Sequence, residues 1–159
     1  MFDGKYILIS AVAAIMATIA ATVSNGLGWP VWAMFIGWVA FFFGKSSLSG
    51  AAATFGCLAI GLVLGNVAGI CIGLLAPKAG FWAISPVVFV VATVVVSLRG
   101  VPVLNNIPAY FLGLITFFAA YLPLGVSATV SLILPTALGV VAAFCTGVLQ
   151  KHMSVKAPV

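Results

Sequence analysis

One acidic residue, Asp3, and one histidine, His152, are all the chain has of either kind. Paired carboxylates for general acid–base work are therefore missing, as are Ser/His/Asp and Cys/His sets for covalent catalysis. Cysteine is scarce as well. Cys57, Cys71 and Cys145 each lie in an apolar run, with no CxxC spacing and no neighbouring histidine. That argues against zinc and disulfides and leaves buried free thiols. No glycine-rich segment has P-loop spacing. An enzyme is not expected, nor is a metal or a cofactor. Charge of both signs is scarce: 4% of residues are charged and 65% are hydrophobic, whereas a soluble surface takes roughly 25% charged residues. The chain must face lipid, and the bilayer is its first partner. The net charge of +5 comes from single, scattered residues. They form no stripe that could follow a phosphate backbone, so nucleic acid is not expected as a partner.

What the chain does have is long apolar runs. A helix needs about 20 residues to cross about 30 Å of hydrocarbon. Runs at residues 6–23, 27–43, 48–75, 81–98, 107–122 and 124–149 predict six transmembrane helices, the second and fifth short. The third is expected to stop at Pro77-Lys78, and residues 150–159 form a tail. With six crossings, Lys5, Lys45, Arg99, Lys151 and Lys156 share one side, and Lys78 alone takes the other. By the positive-inside rule both termini are expected in the cytoplasm.

The chain is also written twice. "FIGWVAFF" at 35–42 pairs with "FLGLITFF" at 111–118. "ISAVAAIMAT" at 9–18 pairs with "ISPVVFVVAT" at 84–93, and "GAAAT" at 50–54 with "GVSAT" at 125–129. Order and offset are nearly constant, which marks residues 6–75 and 81–149 as two repeats within one membrane domain spanning 1–159. Three spans per repeat is an odd number, so the second copy must enter the membrane inverted. The expected fold class is an all-α integral membrane protein of six transmembrane helices, built as two inverted-topology three-helix repeats.

The segment "WAMFIGWVAFFFGKSSLSG", with "IPAYFLGLITFFAAYLPLG" in the second half, resembles the YcdZ-like family of bacterial inner-membrane proteins, which carries a domain of unknown function. The likeness covers nearly the whole chain. It implies a small polytopic protein of the bacterial inner membrane and brings with it no catalytic or ligand residue.

Candidate site residues are those that recur or stand out. The duplicated rings Phe41, Phe42, Phe117 and Phe118 would sit at matching depths of an inverted pair. Adjacent rings point about 100° apart on a helix, so only one of each pair need face inward. They would line a dry constriction, or simply pack and face lipid. Thr18 and Thr93 are repeat mates, as are Thr54 and Thr129. Each hydroxyl either bonds its own helix backbone or offers a solute a hydrogen bond. Asn66 is a mid-span amide, suited to gluing helices more than to touching solute. Asn105 and Asn106, between Pro102 and Pro108 ahead of the fifth span, mark either an irregular entry segment or, more in keeping with their type, an ordinary capped loop. Gly61, Gly65, Gly69 and Gly73 form one stripe, echoed by Gly139, Ala143 and Gly147. Such stripes predict close packing of the third and sixth spans, or a subunit interface.

The leading functional expectation is a passive channel or facilitator for a small neutral or weakly charged solute, of the urea, ammonia or short carboxylic acid type, working as a homo-oligomer. A secondary transporter or exporter would need a coupling site, and the spans carry no carboxylate or histidine. A non-transporting scaffold or accessory subunit is the third possibility.

Overall fold

The computed structural model describes residues 4–155, so Asp3 and Lys156 lie outside the described residues. Its regular structure there is all helical, without a strand among the described residues, and comprises six α-helices: α1 Gly4–Gly26, α2 Val31–Phe41, α3 Leu48–Ala79, α4 Ile84–Ser97, α5 Ile107–Ala119 and α6 Val126–Val155. Local chemistry sets most boundaries. α1 ends where Gly28 takes φ 69°, and Pro30 then starts α2. The Ser47 hydroxyl caps α3 by accepting from the Gly50 amide at 3.0 Å, the usual service of an N-terminal serine. Asn106 caps α5 the same way through the Ala109 amide at 3.3 Å, with Pro108 in the first turn. Asn106 thus behaves as a loop cap, as its position suggested.

Two boundaries differ from expectation. Pro77 does not stop α3, which continues to Ala79 before Gly80 turns the chain at φ 53°. A proline removes one hydrogen bond, here the one to Gly73, an exposed residue near the helix end. α6 likewise runs past Leu149 to Val155. The two short helices are shorter than their apolar runs. α2 closes with 3₁₀ bonds, from Phe42 to Val39 and from Gly44 to Phe41, and α5 closes before Tyr121 at φ 50°.

Three stretches are long and apolar enough to cross a membrane: Tyr6–Gly26, Leu48–Gly100 and Val126–Met153. The second contains α3 and α4, with one 3₁₀ turn between them and another after α4. It folds back on itself, so that Val91, Val95 and Leu98 reach the core around Leu58 and Leu62. The broad exposure of Ile15, Ile19, Phe89 and Val94 agrees with a membrane protein.

The packing crosses between the halves of the chain. α2 lies against α6 and α3 against α5. Both pairs run parallel: Trp32 lies near Ser131, Gly37 against Thr136 and Phe41 against Val140 and Ala143, and Asn106, Tyr110 and Phe117 likewise meet successively later residues of α3. α1 packs on α6, and α4 packs on α3.

Candidate functional site

Both parallel pairs touch backbone to backbone. A Cβ on Gly37 would collide with the Thr136 carbonyl, and one on Gly139 with the Met34 carbonyl. In the other pair a Cβ on Gly61 would strike the Tyr110 carbonyl, and one on Gly113 the Leu58 carbonyl. Small residues permit this approach, in which dispersion replaces the hydrophobic effect that lipid does not supply. The third and sixth spans do pack on one another, but their stripes face other helices. The stripe of α3 receives α5, and the stripe of α6 receives α2.

The duplicated rings follow from that arrangement. Phe117 lies over Gly65, close enough that a Cβ there would stand 2.7 Å from its own Cβ, and its ring edge reaches Gly69. Leu124 covers the rest of Gly69. Phe41 packs with Val140 and Ala143, and a Cβ added at Gly147 would stand 3.9 Å from its ring. Phe41 and Phe117 are 3% and 4% exposed, whereas Phe42 and Phe118 are 64% and 45% exposed. One ring of each pair is therefore seated on the other half's small-residue stripe, and the second faces outward. Gly73 has open space around it.

The polar candidates divide likewise. Thr18 and Thr93 are exposed, and each hydroxyl donates to its own helix, to Ala14 at 2.8 Å and Phe89 at 2.7 Å. Thr54 and Thr129 are buried, and each accepts from an asparagine amide. Asn106 reaches Thr54 at 3.0 Å, and Asn66 reaches Thr129 at 3.0 Å. Asn66 also donates to the Gly125 carbonyl at 2.9 Å and accepts from the Gly125 amide at 3.1 Å. It thus locks the turn before α6, where Gly125 has φ 147°. Three bonds satisfy an amide with little left to offer a solute.

The candidate site lies at the ends of α2. At its C-terminal end is an open pocket of about 740 Å³, lined by Phe41, Phe42, Ser46, Phe144, Gly147, Val148, Gln150, Lys151 and His152. Phe41 and Phe144 meet edge to face at 6.3 Å between ring centres. Gln150 donates to the Ile9 carbonyl at 3.0 Å, which ties α1 to the end of α6. His152 bonds the Val148 carbonyl through Nδ1 at 2.9 Å. At the N-terminal end of α2 is a second pocket of about 490 Å³, lined by Asn25, Trp29, Trp32, Ser131 and their neighbours, with no charged side chain. Between the two pockets α2 and α6 are in backbone contact.

Sequence reasoning reached Phe41 and Phe42 but missed Phe144, Gln150, Lys151 and His152. The available signal was the position of Lys151 and His152, just past the last apolar run, on the helix that bears the second small-residue stripe. Among the described residues no group of three or more metal-ligating side chains comes together.

A family model described as "Protein of unknown function (DUF1097)" matches residues 7–151. No curated protein and no solved structure matches the chain.

Proposed function

The chain belongs to the DUF1097 family, and on that premise we propose that it is a facilitator for a small neutral or weakly charged solute in the bacterial inner membrane. One observation carries this reading: the short helix α2 opens into a pocket at each end. Its 11 residues span about 16 Å at 1.5 Å per residue, against about 30 Å of hydrocarbon. A helix that short is tolerated at membrane depth where its ends meet protein-lined cavities. The barrier that remains is the α2–α6 crossing, with Phe41 forming its floor on one side. Passage requires the two helices to shift at Gly37 and Gly139.

The same proposal includes six crossings in two inverted repeats, with both termini in the cytoplasm. The parallel pairing of α2 with α6 and of α3 with α5 supports it, since an odd three-helix unit inverted on itself makes those helices parallel. The one-sided distribution of Lys and Arg supports the orientation. The larger pocket, with Lys151, is then the cytoplasmic mouth.

A scaffold is the second reading, favoured by the way Phe41 and Phe117 serve packing. Proteoliposome swelling with urea, ammonia, formate, acetate and glycerol separates the two. The expected result is faster entry of at least one solute than into protein-free vesicles, and a further change when Phe41→Ala opens the floor. Rates equal to protein-free vesicles across the panel, with folded protein, would leave the scaffold.

A further inference from the structure

The larger pocket has a chemical polarity that the smaller one lacks. Its floor is apolar: the Phe41 and Phe144 rings, with Phe42 64% exposed at the side. Its rim carries Ser46, Lys151 and His152. The chain's one acid is Asp3, and no salt bridge compensates Lys151 among the described residues. A cation set beside an apolar floor, in a chain with almost no acid, attracts an anion from outside. The C-terminal end of α2 opens on the same space, and its partial negative charge repels an anion. Its last carbonyls are turned to 3₁₀ bonds with residues 42–44, which weakens that repulsion. The favourable place for negative charge is thus the rim, with the apolar body of the ligand directed inward.

We propose that this pocket binds a small amphipathic carboxylate, its carboxylate at Lys151 and its apolar body on Phe41, Phe42 and Phe144. The assignment rests on reading the pocket as the cytoplasmic mouth of the facilitator, and it names the solute class: weak organic acids with an apolar body. The opposite pocket, lined by Asn25, Trp29, Trp32 and Ser131 without charge, suits the neutral form of such an acid. The anion is therefore held on one side only.

The test uses the full chain in phosphatidylcholine nanodiscs, with para-fluorobenzoate and para-fluorobenzamide as probes followed by fluorine NMR. The two share a body and differ in charge. The benzoate is expected to bind at least about tenfold more tightly, roughly 1.4 kcal/mol. Lys151→Gln should erase that preference, and Lys78→Gln, outside the pocket, should leave it. Phe42→Ala, at an exposed ring, should weaken both probes alike by several-fold. Equal binding of the two probes, or a preference that survives Lys151→Gln, overturns the proposal. An anionic phospholipid that co-purifies with the wild type, is absent from Lys151→Gln and blocks benzoate in mixed nanodiscs also overturns it, because the rim would then hold a lipid headgroup. Binding and flux fail separately. Benzoate binding without transport removes the facilitator and leaves the site, while transport without a carboxylate preference removes the site assignment and leaves the facilitator.

Discussion

Removing Asn66 tests how the two halves of the chain are held together. Asn66→Ala deletes three hydrogen bonds, of 2.9, 3.0 and 3.1 Å, which join α3 to Gly125 in the turn before α6 and to Thr129 in its first turn. Hydrogen bonds between membrane helices average about 0.6 kcal/mol each, so the three come to about 2 kcal/mol. The Gly125 carbonyl keeps a second bond, from the Thr129 amide at 3.4 Å. Leaving the half-buried Gly125 amide without Asn66 adds about 1 kcal/mol, the low end for an orphaned donor. The expected loss is about 3 kcal/mol. Thr129→Val removes one of the three bonds and should cost about 0.6 kcal/mol. The assay is reversible unfolding in mixed micelles titrated with a denaturing detergent and followed by helical circular dichroism. If Asn66→Ala costs less than about 0.5 kcal/mol, or no more than Thr129→Val, the amide is not the clamp described and the bond arithmetic fails.

Two further predictions use the same assay. Gly37→Ala places a methyl into the Thr136 carbonyl and should destabilise by about 1–3 kcal/mol, the usual cost of overpacking. Gly56→Ala, with open space around it, should be neutral or stabilise by up to about 1 kcal/mol through helix propensity; equal effects at the two positions would refute the parallel α2–α6 contact. Phe117→Ala leaves a void over Gly65 and should cost about 3 kcal/mol, whereas Phe118→Ala, at a ring 45% exposed, should stay within about 0.5 kcal/mol. A reversed order would place the wrong ring inside.

Much of this was readable in advance for reasons that can be named. Caps act over a few residues, so Asn106 was legible as the cap ahead of the fifth span, whereas Pro30, inside an apolar run, gave no sign that it starts α2. Repetition along the chain marked Phe41, Phe42, Phe117 and Phe118 as related, because a duplicated sequence keeps its spacing. Pro77 misled, because its penalty depends on where the lost bond falls, and near an exposed helix end that penalty is small. Asn66 was legible as glue because an amide in a span needs a partner, but that partner, Gly125, lies 59 residues away.

By itself, the sequence determined that this is an apolar, helical, membrane-type chain, carrying small-residue stripes and paired rings at fixed intervals. Composition and local periodicity are enough for that, since they decide solvent and secondary structure residue by residue. Only the tertiary structure decided that the stripe of α3 receives α5 and that of α6 receives α2, that Phe41 and Phe117 are the inward rings, and that both ends of α2 open into pockets. Those outcomes depend on which of several equally apolar faces fit one another. In a chain where nearly every face is apolar, shape and hydrogen-bond partners make that choice.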